Sequence, residues 1–124
     1  MIAADTSSLI AFFGGQEGAD VEAVHKALSA GELRLPPVVF TELLSDPQTS
    51  EALEKAIADW RQLAIGEGYW LRAARTRAKL ISLKLRPKLP DTLIAQSCID
   101  HDVALIERDG GFRQFAKHCG LRLA

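Results

Sequence analysis

Residues 1–13 read M-I-A-A-D-T-S-S-L-I-A-F-F, an apolar run with one carboxylate, Asp5, in its middle. Met1 to Ala4 has the character of a short buried strand, and Thr6 to Phe13 that of a helix stopped by Gly14-Gly15. Asp5 therefore stands where a strand hands over to a helix. Whether that junction is local or the first unit of a larger plan depends on the rest of the chain.

The unit repeats. Val21, Val24 and Leu28 recur at helical spacing, and the helix they mark ends near Gly31. Leu33-Arg34-Leu35 is a brief strand, followed by Pro36-Pro37, and Pro37 suits the first position of a helix running to about Asp46. Pro47 ends that helix. Leu53, Ala56, Ile57 and Trp60 mark the next helix, and Leu63 to Ile65 is a short candidate strand. A long helix spans Gly68 to about Lys84, with Leu71, Ala74, Ala78, Ile81 and Leu85 as its expected buried stripe. Pro90 and Asp91 open another, through Leu93, Ile94 and Cys98 to about Asp100. Val103 to Ile106 is a strand. Phe112, Phe115, Ala116 and Cys119 line a last helix capped by Gly120, and Leu121 to Leu123 closes as a strand. Strands alternating with helices predict an α/β fold with a small, mainly parallel sheet and helices on both faces.

At 124 residues, 48% of them hydrophobic, the chain is expected to form one domain over residues 1–124. Its net charge of −1 carries no signal of a polyanionic partner. Cys98 and Cys119 stand alone, so neither a zinc site nor a redox pair is indicated, and their use suits a reducing cytoplasm. There is no basic leader and no apolar stretch of membrane-spanning length, so a soluble cytoplasmic protein is expected, with no membrane partner. His25, His101 and His118 are scattered, and no histidine-based nucleophilic mechanism is indicated.

Functional groups of an open parallel sheet gather beyond the carboxyl ends of its strands. Asp5 follows the first strand, and Asp109 follows Val-Ala-Leu-Ile after Glu107 and Arg108. Helical phase sorts the remaining acids. Asp91 shares the face of Ile94, Ala95 and Cys98, whereas Asp100 falls on the opposite side as a solvated charge. Glu42 lies on the apolar face of Val38 and Val39, where an ionised side chain needs a partner or a ligand. Asp46, one turn on, reads as solvated. Each aspartate also has a plain structural reading: Asp5 and Asp91 as helix caps, Asp109 as a turn former. Glu42 caps nothing, and four acids aimed at one edge favour a site. Clustered carboxylates need a counter-charge, and oxygen ligands without cysteine or histidine suit Mg²⁺ or Mn²⁺. The chemistry that fits is metal-assisted cleavage of a phosphodiester.

Between Tyr69 and Pro90 seven basic residues run without an acid: Arg72, Arg75, Arg77, Lys79, Lys84, Arg86 and Lys88. Arg72, Arg75 and Lys79 form one stripe, either a solvated helix flank or a contact for nucleic-acid phosphates. Its place before Asp91 favours the phosphates. Tyr69 and Trp70 could stack on bases, but core packing is the expected use of Trp70.

These residues resemble PIN domains, in particular the VapC-type toxin ribonucleases of bacterial and archaeal toxin–antitoxin pairs. The likeness covers essentially the whole chain. It rests on D-T-S-S-L-I-A at Asp5, T-E-L-L at Glu42, P-D-T-L-I-A at Asp91 and L-I-E-R-D-G-G-F at Asp109. The resemblance implies a three-layer α/β/α sandwich and an endoribonuclease dependent on Mg²⁺ or Mn²⁺, in which water attacks in line and leaves a 5′-phosphate and a 3′-hydroxyl. It makes Asp5, Glu42, Asp91 and Asp109 the catalytic, metal-binding carboxylates and Thr6 a hydroxyl that orders the site. It also implies an RNA substrate, a homodimer, and a small antitoxin whose C-terminal segment lies across the site. Two positions depart from the pattern. Glu107 stands where a threonine or serine is usual, and Gly111 where a second acid is common, so both departures flank Asp109. A degenerate PIN-like domain that binds RNA or a protein without cutting is the rival reading. A phosphoacceptor receiver domain is a weaker one, since it needs an acidic pair where Asp5 is followed by Thr6, Ser7 and Ser8.

Overall fold

The computed structural model describes residues 1–124. Three short strands, β1 (Ile2–Ala4), β2 (Leu33–Arg34) and β3 (Ala104–Ile106), form a parallel sheet in the order β2-β1-β3. Ile2 pairs with Leu33 on one side and Ala104 on the other, which fixes β1 as the central strand. Ala3 and Ala4 are both fully buried. Successive strand residues point to opposite faces, so both faces of the sheet are covered, and alanines leave room for helices to approach closely.

Seven helices surround the sheet: α1 (Thr6–Phe13), α2 (Ala19–Ser29), α3 (Pro37–Leu43), α4 (Glu51–Ala58), α5 (Tyr69–Ser82), α6 (Leu89–His101) and α7 (Arg113–Cys119). Their ends follow local chemistry. Asp5 caps α1, Ser50 caps α4 by accepting from the Leu53 amide at 3.1 Å, and Gly120 ends α7 in the left-handed conformation. Leu9, Leu35, Ile57, Leu80, Leu105 and Phe115 are fully buried in one core. Truncating any of them to alanine costs about 2–5 kcal/mol. Cys98 is buried there as well, and desolvation pushes its thiol up to about 12. No helix is long and apolar enough to cross a membrane.

The structure corrects several expectations. The candidate strand at Leu63–Ile65 reduces to one parallel bridge, Leu35 with Gln62, and the closing strand at Leu121–Leu123 to another, Leu105 with Leu123. Helix α3 ends at Leu43, not Asp46. The largest difference is in α5. Its buried residues are Tyr69, Ala73 and Leu80, whereas Leu71 and Ile81 of the expected stripe are 55% and 50% exposed. At 100° per residue the two sets lie nearly opposite each other, so α5 carries two apolar stripes and packs with the one that includes Tyr69.

The chain runs from β1 to β2 on one side and then crosses over β1 to reach β3 on the other. Diverging connections leave a crevice at the carboxyl ends of β1 and β3. Asp5 and the loop after Ile106 lie there.

Candidate active site

Asp5 leaves β1 with its backbone still in the sheet, its amide bonded to the Ile106 carbonyl at 3.0 Å. Its side chain is 4% exposed. One oxygen accepts from the Ser8 amide at 3.0 Å and the other from the Ser7 hydroxyl at 2.8 Å. The residue thus caps α1 and is held rigidly at the mouth of the crevice. Capping and a role in a site are compatible, because a carboxylate oxygen has lone pairs beyond the one used by the helix.

Asp91 is not a cap. Lys88 holds that position, and Asp91 falls in the first turn of α6 with its side chain turned inward. Asp109 follows β3 in a turn, where it accepts from the Gly111 amide at 3.0 Å, while Glu107 accepts from the Gly110 amide at 2.6 Å. Glu107, at the departure from the family pattern, therefore orders the loop that presents Asp109. Glu42, next to last in α3, is exposed, which corrects the expectation of a buried mid-helix acid. It borders an open cleft, where the Thr6 hydroxyl donates to its Oε1 at 2.7 Å.

Asp5, Glu42, Asp91 and Asp109 line one cleft of about 240 Å³ with Thr6 and Ser7, floored by Ile10, Ile94 and Phe112. The four acids come from four separate stretches of sequence. Their electrostatics record the proximity. Burial raises the Asp91 carboxyl above the usual range; Lys88 opposes this, and Asp109, Glu42 and Asp5 add to it. Asp5 is also raised, by burial first, against its bonds from Ser8 and Ser7, with Asp109 adding repulsion. A Cβ on Gly111 would sit 3.2 Å from Asp109 Oδ1 and 3.6 Å from Asp91 Oδ2. The glycine thus lets the loop close over the two carboxylates.

The donor set fits a hard divalent cation: carboxylate oxygens only, in excess of positive charge, at partial burial. No three of these side chains converge tightly enough to hold an ion as they stand. Asp5, Glu42 and Asp109 each also accept from a hydroxyl or amide, which fixes their orientation at the cleft wall.

The PIN-domain family model matches residues 2–118. The chain belongs to the PIN-domain family. No curated protein matches it as a relative. PIN domains are nucleases that generally use divalent metals and act on nucleic acid, and this fold accords with that family. The receiver-domain reading falls with this match.

The basic stripe is not at the PIN domain's acidic cleft. Arg72 pairs with Asp100 through two bonds, of 3.0 and 2.7 Å, and also donates to the Glu67 carbonyl. Asp100, expected to be solvated, is instead an ion-pair partner that Gln96 also contacts. Lys79 donates to the His118 carbonyl at 2.6 Å, near the C-terminus of α7, where a cation complements the helix dipole. Arg72 and Lys79 therefore fasten α5 to α6 and α7, and of the three only Arg75 has no internal partner. Sequence reasoning missed Ser7 as a neighbour of the acids and read Lys88 only as part of the basic run before Asp91. Ser7 was visible as a hydroxyl two residues after a strand-end aspartate. Lys88 needed the position of α6.

Proposed function

We propose that this PIN domain is a Mg²⁺- or Mn²⁺-dependent endoribonuclease of the VapC type, the toxin of a toxin–antitoxin pair. One observation carries the proposal: four carboxylates from distant segments border a single cleft at the switch point of the sheet, with no histidine or cysteine among them. Asp5, Glu42, Asp91 and Asp109 would hold the cation. Thr6 orients Glu42, and Ser7 with the Ser8 amide keeps Asp5 from rotating away. A bound dication would lower the pKa of a water and offset charge on the phosphate oxygens. Ile94 and Phe112, both buried, form the apolar base beneath the acids.

The proposal includes a cytoplasmic homodimer and a small antitoxin. Leu71 and Ile81, both exposed on the outer face of α5, support self-association, because apolar side chains left on one helix face favour a partner. The substrate is RNA, and phosphate contacts fall to cations without internal partners: Arg75, Lys84, Arg86 and Lys88.

Asp5→Asn and Asp91→Asn are expected to abolish Mg²⁺- or Mn²⁺-dependent cleavage of RNA while keeping the parent circular-dichroism spectrum. Cleavage by both at the parent rate would defeat the assignment. Co-expression with a small reading frame from immediately upstream is expected to suppress toxicity. The non-cleaving alternative has support in Gly111, where a second acid is usual, and in the looseness of the acid cluster. RNA binding without cleavage under any divalent cation would select it.

A further inference from the structure

We infer that the groove between α3, α5 and α6, with Trp70 as its platform, is a subsite for one unpaired nucleobase of the substrate, next to the phosphate that is cut. The inference rests on the ribonuclease reading above. Trp70, expected in the core, is 64% exposed, and with Val38, Leu89, Pro90 and Leu93 it lines a groove of about 330 Å³. Glu42 lines both this groove and the acidic cleft, so an occupant of one lies a single side chain from the other.

Tyr69 supports the platform from below. Tyr69, buried beneath it, meets the Trp70 ring edge-on, with centroids 4.9 Å apart and planes at 83°, and its hydroxyl donates to the Leu93 carbonyl at 2.6 Å. Lys84, Arg86 and Lys88 run along the approach to Leu89, all exposed and none in an ion pair. An aromatic platform flanked by free cations is how proteins bind single strands, with stacking for the base and charge for the backbone.

The chemistry selects among occupants. A phosphate is disfavoured in the groove itself, because its walls are apolar and Glu42 stands at one end. A base within a duplex cannot present its face. A second copy of the chain is the competing occupant, and the oligomeric state of the Trp70 variant separates the two.

The test uses the full chain with Trp60→Phe, leaving Trp70 as the only tryptophan, and Asp5→Asn to prevent turnover. A random-sequence single-stranded RNA decamer is expected to quench Trp70 fluorescence. A base-free ribose-phosphate decamer and a duplex are expected not to. Trp70→Ala should weaken decamer binding about 5- to 100-fold, and Trp70→Phe should restore most of it. In the otherwise unaltered chain, Trp70→Ala should raise KM and leave kcat near the parent value. If RNA binds and is cut but Trp70 is silent and Trp70→Ala binds equally, the subsite is refuted while the nuclease reading stands. If Trp70→Ala instead shifts the oligomeric state without RNA, the groove is a self-association face and the inference fails. If RNA neither binds nor is cleaved, both readings fall together.

Discussion

Replacing Asp91 with asparagine should stabilise the protein as it removes activity. Asp91 and Asp109 both approach the point where a Cβ on Gly111 would lie, at 3.6 and 3.2 Å. Their oxygens are thus at most about 7 Å apart, and like charges at that separation repel by roughly 2 kcal/mol at an effective dielectric of about 20. Solvent in the open cleft reduces this, and losing a negative charge from the first turn of α6 gives back about 0.3–1 kcal/mol of dipole interaction. The net gain is about 1 kcal/mol, or about 3–5 °C in Tm for a chain of this size.

The pH dependence gives the sign. Burial, with Asp109, Glu42 and Asp5 adding, raises the folded-state pKa of Asp91 above its unfolded value. The group therefore favours folding below the unfolded carboxylate pKa, and that contribution is lost as pH rises through the folded pKa. Parent and Asp91→Asn should melt together below the ordinary carboxylate range and separate as pH rises to neutrality. In EDTA at neutral pH the variant should be the more stable. Mg²⁺ or Mn²⁺ should raise the parent Tm more than the variant's and close the gap, since a ligand of the folded state stabilises by mass action. Thermal melts by circular dichroism across pH, with EDTA and with each cation, measure all of this. A variant less stable than the parent in EDTA at neutral pH, or a Tm difference independent of pH, would refute the reasoning.

Thr6→Val removes the hydroxyl that holds Glu42, so kcat should fall about 10- to 100-fold, with Thr6→Ser retaining most activity. Gly111→Ala places a methyl group against Asp109 and Asp91 and should weaken Mn²⁺ affinity about 10-fold, read from the metal dependence of cleavage. Arg72→Ala should lower Tm without changing RNA affinity, whereas Arg75→Ala should weaken RNA binding. The Arg72 guanidinium holds the Asp100 carboxyl below its usual range, so this pair stabilises above the unfolded carboxylate pKa and loses its effect as pH falls through the folded one. Arg72→Ala should accordingly flatten the acid limb of the stability profile.

Much of the fold was legible because its signals are local. Strand, acid and cap follow one another within eight residues at Asp5, and the Pro36-Pro37 and Gly14-Gly15 boundaries lie where chain chemistry puts them. The short outer strands were over-read, since an edge segment with one pairing neighbour needs only a single bridge. Trp70 and the face of α5 were misread for a different reason. A helix with two apolar stripes satisfies the same periodicity twice, and only packing chooses between them.

Residues 1–13 by themselves determined a strand, a capping carboxylate and a helix, because each depends on neighbours within a turn. Membership of the PIN family was likewise present in four short motifs. Tertiary structure decided which charges meet. It brought Glu42 to Thr6 across 36 residues, drew Asp91 and Asp109 together around Gly111, and turned Arg72 away to Asp100. Helical phase says which side of its own helix a charge occupies. What faces that side is set by the packing of elements far apart in the chain.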